Sequence, residues 1–354
     1  MPLPLHPSPS LNLQVMARVL LSELHKRFNA TLAVDNFSLD VAEGEFVALL
    51  GPSGCGKTTV MRMIAGISEP DSGTIAIGER RVDGLSPERR NIGLVFQSYA
   101  LFPHMTVEAN IAFGLQMLHV PRDEMRRRIA AVLEMVDLTA LAKRHPRQLS
   151  GGQQQRVALS RALVTEPDVL LLDEPLSNLD AKLREHLRED IKTLQRRLGI
   201  TTIYVTHDQS EALALADRVV VMNGGRIVEQ GTPRDLYQTP AYRFTAEFLG
   251  QTNILTAVAA DRTICFPWGG KQGGWDGRSG PVDLSIRPED ISIEATAEGP
   301  AVVTDVTFLG ADIEHKLDVG GLMIRARSSG RGAKVLPVGT RVSIGLPGDL
   351  HVLS

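Results

Sequence analysis

Long hydrophobic runs are missing from this chain of 354 residues. Its longest apolar stretches, such as Val169–Leu172 and Val219–Met222, have the length of core strands, far short of the roughly 18 residues that cross a bilayer as a helix. The chain itself is therefore not expected to span a membrane. Cysteine is scarce: Cys55 and Cys265 stand in unrelated contexts, which excludes a disulfide framework or a CxxC metal or redox site and fits a reducing cytosol. There is no excess of positive charge, with 38 basic against 41 acidic residues and a net charge of −3, so a global basic footprint for nucleic acid is absent. A secretory leader is not expected either. The first residues, with Pro2, Pro4, Pro7 and Pro9, lack its basic start and continuous apolar centre. Residues 1–15 are expected to form a disordered tail, and Met16, which opens the patterned sequence, is an alternative start.

What remains, 43% apolar and 22% charged, reads as an ordinary globular protein with room for roughly two or three domains. From Met16 to about residue 240, buried-strand runs alternate with helical stretches. Phe46–Leu50, Ile92–Phe96, Val169–Leu172, Thr202–Val205 and Val219–Met222 are continuously apolar or β-branched, as suits a parallel sheet covered on both faces. Met125, Ile129, Val132, Leu133 and Val136 share one helical face, as do Leu183, Leu187, Ile191, Leu194 and Leu198, a helix that Gly199 ends. The fold class is α/β. From about residue 245 to 354 the texture changes to short alternating segments broken by glycine: Val282–Ile286, Ile291–Ile293, Ala301–Val306, Glu314–Val319, Leu322–Ala326 and Arg341–Leu346. They predict a small all-β barrel or sandwich.

Gly51-Pro52-Ser53-Gly54-Cys55-Gly56-Lys57-Thr58 fits G-x-x-x-x-G-K-[ST], after an apolar strand and ahead of the helical stretch Thr59–Ala65. Its glycines let backbone N–H groups turn inward around phosphate oxygens, the helix N-terminus adds a positive dipole, Lys57 supplies charge, and the Thr58 hydroxyl can ligate Mg2+. Cys55 reads as a small buried filler, with a redox switch as the alternative. Val169–Leu172 then runs into Asp173-Glu174-Pro175, placing two acids at the carboxyl end of a strand, where α/β sheets bind ligands. Asp173 is assigned to Mg2+, directly or through water, and Glu174 to accepting a proton from the attacking water. The plainer alternative is a strand end with a capping acid.

Leu149-Ser150-Gly151-Gly152-Gln153 is a second glycine-containing turn, opening the helical stretch Val157–Val164 about 20 residues before the acidic strand. It resembles the LSGGQ element of ATP-binding-cassette (ABC) ATPases. Physically it is a second helix N-terminus able to meet phosphate, which asks for a second nucleotide and hence a dimer. The resemblance implies head-to-tail cassettes, each ATP lying between the phosphate loop of one, Gly51 to Thr59, and Ser150–Gln153 of the other. It also implies that Gln97 contacts Mg2+ and the attacking water, that Asp180 touches the opposite subunit through the loop Ser177–Asp180, and that His207 hydrogen-bonds the γ-phosphate. Phe28, behind Lys26 and Arg27, takes the place of the aromatic that stacks on adenine. Asp180 is equally expected to cap the helix that begins near Ala181.

A single cassette followed by a β-rich tail resembles the ATPase subunit of bacterial binding-protein-dependent importers, peripheral to the cytoplasmic face of the inner membrane. The helical part is expected at about residues 98–160. Leu284-Ser285-Ile286-Arg287-Pro288-Glu289-Asp290 resembles the transport-associated OB (TOBE) domain of the polyamine, ferric-iron, sulfate and maltose group; otherwise it is a turn with a surface ion pair. The implied cofactors are ATP and Mg2+. The implied partners are a second copy, membrane permease subunits and, through them, a solute-binding protein. Apolar Ser98–Met105, directly after Gln97, is read as docking the permease through Leu101 and Phe102; the alternative is filler beneath the helical part. A nucleic-acid or ribosome ATPase is the rival class, but only about 115 residues separate Lys57 from Asp173, too few for a long coiled coil, and there is one phosphate loop rather than two. Regulation through the β domain stays open. Polyamine ranks first as cargo, with ferric iron or another small solute (sulfate, sugar, phosphonate) as the alternative.

Overall fold

The computed structural model describes residues 17–275, 277, 279–330 and 332–354, and the chain divides into two compact units between Pro233 and Arg234. The tail expected at residues 1–15 lies outside the described residues, as does Met16. The first unit opens with strands β1 (Val19–Phe28), β2 (Thr31–Val41) and β3 (Phe46–Leu50), helix α1 (Lys57–Ile64), and strands β4 (Ser72–Ile77), β5 (Arg80–Arg81) and β6 (Ile92–Val95). Helices α2 (Val107–Met117), α3 (Arg122–Met135) and α4 (Gly151–Leu163) follow. Then come β7 (Val169–Asp173), α5 (Ala181–Leu198), β8 (Thr201–Thr206), α6 (Gln209–Leu215), β9 (Arg218–Asn223) and β10 (Arg226–Gly231).

The five apolar runs pair in parallel in the order β9-β3-β8-β7-β6, and β10 adds an antiparallel edge. β3 and β7 are buried at every residue, which is why they carry no polar alternation. A second, antiparallel sheet, β2-β1-β4-β5, has no counterpart in the sequence pattern; Phe28 ends β1, which pairs with β2 on one side and β4 on the other. Breaks in register between Leu21 and Arg27 scramble the period-two pattern there. Both sheets close on α1 in one core containing Leu21, Phe37, Leu49, Met61, Ile64, Leu171 and Ile203. The α2–α4 helices have their own core, where Val107, Ile111 and Leu115 meet Ile129, Val132 and Leu133.

The second unit begins with α7 (Pro233–Gln238) and α8 (Arg243–Phe248). Strands β11 (Asn253–Ala260), β12 (Thr263–Cys265), β13 (Lys271–Gly273), β14 (Gly280–Ile286) and β15 (Ser292–Ala295) follow. The remainder are β16 (Ala301–Phe308), β17 (Asp312–Val319), β18 (Leu322–Ser329), β19 (Arg341–Gly345) and β20 (His351–Val352). Two antiparallel sheets, β13-β12-β11-β14-β20 and β15-β19-β16-β17-β18, share a core that includes Leu255, Leu284, Val303, Leu317 and Ile324. This is the all-β domain expected from the texture. β11 escaped the sequence pattern because its outward positions include Val258, which is apolar although 55% exposed.

Arg287 is not a surface residue, and among the described residues it forms no ion pair. It is 4% exposed, and its guanidinium donates to the carbonyls of Tyr237, Ala246 and Gln251 while lying 4.1 Å from the Tyr237 ring. The Tyr237 hydroxyl donates to Glu289 at 2.6 Å, and burial together with that carboxylate pushes the phenol up to about 12. One side chain thus ties α7, α8 and the start of β11 to the β sheets. Arg287→Ala would orphan three carbonyls, at a cost of about 3 kcal/mol. The expected result is a lower calorimetric transition for the second unit, with Arg287→Lys a poor rescue because an ammonium cannot fork over several carbonyls.

Candidate functional site

The site is assembled at the carboxyl ends of β3, β7 and β8. β3 passes directly into the 51–59 segment, where Ser53 and Gly54 are exposed, Cys55, Gly56 and Lys57 are buried, and Thr58 and Thr59 are half-buried in the first turn of α1. Two glycines are required by space. A Cβ on Gly51 would lie 2.3 Å from the Met222 carbonyl oxygen, and Gly56, at φ +106°, would bring one to 2.5 Å from that of Ala33. Gly56 is also the N-cap of α1 and offers no side chain to the helix's free N–H groups. Lys57 curls back, its Nζ donating to the carbonyls of Gly51 (2.7 Å) and Pro52 (3.0 Å). The outcome is an electropositive cradle: helix N–H groups on one side, an ammonium at the centre. Cys55 is buried with Sγ 3.7 Å from that ammonium.

Asp173 and Glu174 face this cradle. The Thr58 hydroxyl donates to Asp173 Oδ1 at 3.4 Å. Burial, followed by the neighbouring Glu174 charge, raises the Asp173 carboxyl above its ordinary range. Glu174 leaves the strand in a left-handed conformation, φ +45°, which costs a non-glycine residue roughly 1–2 kcal/mol. Its N–H still bonds the Val205 carbonyl (2.9 Å), and its own carbonyl accepts from the N–H (3.2 Å) and hydroxyl (3.0 Å) of Ser177. The bend aims the carboxylate at two other residues singled out in the sequence. His207 Nδ1 is 3.1 Å from Oε2, and Gln97 Nε2 is 3.4 Å from the same oxygen and 3.2 Å from Ser177 Oγ. Asn178 Nδ2 holds the Gln97 carbonyl at 2.9 Å. Gly51–Thr59, Asp173, Glu174, Gln97 and His207 therefore form one constellation.

Two adjacent carboxylates beside a threonine hydroxyl suit a hard divalent cation. Among the described residues no group of three or more His, Cys, Asp or Glu could hold a metal alone.

Other expected residues stand apart from this cluster. Ser150 and Gln153 form a capping box at the start of α4: Ser150 Oγ accepts from the Gln153 N–H at 3.4 Å, and Gln153 Oε1 accepts from the Ser150 N–H at 3.0 Å. The Ser150 hydroxyl proton remains free to donate. Cβ atoms on Gly151 and Gly152 would lie 2.8 Å from Leu179 and 3.0 Å from Leu183, so these glycines also let α4 approach α5. Among the described residues no hydrogen bond joins 150–153 to the 51–59 loop. Asp180 caps α5, accepting from the Leu183 N–H at 3.0 Å. Phe28, 49% exposed, ends β1 with Lys26 Nζ 5.5 Å from its ring centroid. It pairs with Thr31, two residues from the Ala33 carbonyl that Gly56 abuts. In the 98–105 segment Leu101 packs on the helical core and Phe102 lies 4.7 Å from Phe113, both half-buried; Pro103 and His104 are exposed.

Sequence reasoning passed over three groups. Ser177 and Asn178 lay inside a motif read only for Asp180. Arg184, which donates to Asp208 (3.3 Å) and to the Leu179 carbonyl (3.0 Å), links the loops carrying Asp180 and His207. Its partner beside His207 is 24 residues away, so no local spacing flags it.

The chain matches the family model "ABC transporter" over residues 34–177 and "TOBE domain" over 284–353. It is 48% identical over 320 residues to the spermidine/putrescine import ATP-binding protein of Thermobifida fusca (strain YX), covering 85% of this chain and 83% of that one. It is 49% identical over 287 residues to the sn-glycerol-3-phosphate import ATP-binding protein of Rhizobium meliloti (80% and 81%). An Fe(3+) ions import ATP-binding protein of the same organism is 47% identical over 307 residues (84% and 87%). Among solved structures, the dimeric post-hydrolysis state of the ATP-binding cassette MJ0796, bound to ADP and Pi, superposes with a TM-score of 0.54 and 33% identity, over 61% of this chain and 99% of that one.

Because Asp173 holds its proton more tightly folded than unfolded, its charge costs stability. The penalty is absent below the unfolded carboxyl range near pH 4, grows as pH rises through it and is complete above the folded pKa. Asp173→Asn is therefore expected to raise the nucleotide-free melting temperature by a few degrees at pH 7. The gain should fade toward about pH 4. Scanning calorimetry at both pH values checks it.

Proposed function

The chain belongs to the ABC transporter family, as an import ATP-binding subunit with a C-terminal TOBE domain, and from that membership we propose that it is the motor of a polyamine importer. It binds ATP and is an ATPase coupled to transport. The cargo is the proposed part. Spermidine/putrescine proteins are among its relatives, and ferric iron is the alternative, named by a relative of similar identity. In this reading residues 16–240 are the cassette and 245–354 the TOBE domain. The subunit works at the cytoplasmic face of a bacterial inner membrane, paired with permease subunits and, through them, a solute-binding protein. Cassettes of this family form dimers; here the second copy is proposed to pack head to tail.

The observation that carries this reading is the meeting of Lys57, Thr58, Asp173, Glu174, Gln97 and His207 at the carboxyl ends of neighbouring strands, with a second phosphate-competent helix start at Ser150–Gln153 that closes a capping box on itself. The 51–59 amides and Lys57 bind the β- and γ-phosphates, and Phe28 stacks on the base. Thr58 and Asp173, with Gln97 nearby, would hold a Mg2+ ion, which would supply neutralisation of phosphate charge. Glu174 Oε2 takes the proton of the attacking water, which the side-chain amide oxygen of Gln97 orients as an acceptor, as the oxygen bridging to ADP departs from the γ-phosphorus. The His207 ring gives Nδ1–H to Glu174 and, when doubly protonated, Nε2–H to a γ-oxygen. Ser150 to Gln153 and Asp180 complete the site of the other copy. ATP stabilises the closed pair, and loss of the γ-phosphate contacts releases it. The 98–105 segment docks the permease, with Pro103 and His104 outward and Leu101 and Phe102 as its half-buried base.

Glu174→Gln should slow turnover at least about a hundredfold with ATP binding intact, and sizing chromatography should then show a dimer that appears only with ATP. A variant that hydrolyses normally, or stays monomeric with saturating ATP, would overturn the mechanism. For cargo, the subunit assembled with its permease is measured for ATPase stimulation by the cognate binding protein loaded with spermidine, putrescine or ferric iron. Stimulation by a polyamine is expected, and stimulation by iron alone sinks the cargo proposal.

A further inference from the structure

Arg161, on α4, plays no part in the constellation above. Its two terminal nitrogens donate to successive carbonyls, those of Tyr99 (3.0 Å) and Ala100 (2.7 Å), and its guanidinium lies 5.6 Å from the Phe102 ring centroid. Both carbonyls belong to residues in the left-handed region, Tyr99 at φ +60° and Ala100 at φ +48°. Neither is glycine, so the pair persists only where its surroundings over-determine it. Tyr99 is anchored by its buried side chain, and its N–H closes a turn on the Phe96 carbonyl at 2.9 Å, the turn that contains Gln97. Phe102 is fixed independently. The buried Asn110 side chain accepts from its N–H (2.8 Å) and donates to its carbonyl (3.1 Å).

Burial pulls the Arg161 guanidinium below its ordinary pKa, and among the described residues no carboxylate pairs with it. It stays protonated all the same. A half-buried cation without a carboxylate is an expensive way to fill space. A fork of donors matched to two adjacent carbonyls is what a guanidinium does and an ammonium does not.

We propose that Arg161 is a positioning residue that locks the left-handed pair Tyr99–Ala100, thereby holding Gln97 against Glu174 and tying the helix that starts at Ser150 to the segment that bears Gln97. Its effect on turnover rests on the ATPase reading; the lock itself does not. Movement of α4 when Ser150–Gln153 meets a nucleotide is then felt at Gln97 through one side chain.

The test uses the full chain. Arg161→Met should lower kcat for MgATP about tenfold while KM, and the affinity for a fluorescent ATP analogue, stay within about twofold. Arg161→Lys should recover little. Ala100→Gly, which removes the left-handed penalty at that exposed position, should restore most of the loss in the Arg161→Met background. A merely structural arginine predicts neither the split between kcat and KM nor that rescue. An unchanged kcat in folded Arg161→Met, a matching rise in KM, or a failed rescue overturns the proposal. Where Arg161→Met does not fold, hydrogen exchange of Arg161→Lys decides: faster exchange confined to the 97–102 amides is expected, and unaltered exchange there overturns the lock. If the unmodified chain hydrolyses no ATP, the ATPase reading has failed, while the exchange measurement still judges the lock.

Discussion

Two neighbouring carboxylates at the end of a fully buried strand are the constraint around which the first unit is organised. β7 has a parallel neighbour on each side and is buried along its whole length, so Asp173 and Glu174 can leave it only at its carboxyl end. Charge placed there needs either opposite charge or water. The loop between β3 and α1 supplies the first, in the form of Lys57 and the uncapped amides of a helix start. Glu174 is turned away from Asp173 by a left-handed backbone and finds His207 and Gln97. The residues around the pair thus set positive groups on one side and hydrogen-bond donors on the other.

The same geometry explains why a lone chain is chemically lopsided. The 51–59 loop, Asp173, Glu174, Gln97 and His207 lie together at the strand ends. The second helix start, at Ser150, satisfies itself through a capping box and packs its glycines against α5. Those intramolecular jobs do not consume the Ser150 hydroxyl proton. A residue can therefore be fully accounted for by its own fold and still keep a donor for a second molecule.

Much of this was legible in the residues. The five parallel strands are continuous apolar words, and Gly51–Thr58 and Asp173–Glu174 sit at their ends as the chemistry of phosphate demands. The all-β tail announced itself by alternation and glycine breaks. What stayed hidden shares one cause, contact between segments distant in sequence. The β2-β1-β4-β5 sheet depends on bulged pairings that blur its period. Arg287 reads locally as half of a surface ion pair, yet its acceptors lie 36 to 50 residues away. Arg90 looks like one more surface arginine. It is instead 1% exposed and donates to the carbonyls of Met63, Ile64, Asp83 and Leu85, capping α1 from outside. A one-dimensional pattern shows what a residue is, and only packing shows whom it serves.

The close approach of Gly56 to the Ala33 carbonyl extends beyond the loop itself. Gly225 crowds the same oxygen, so three stretches of main chain converge on one atom beside the hairpin that turns after Phe28. The spacing of these main chains is therefore set where they touch, and a side chain added to either glycine would have to force them apart.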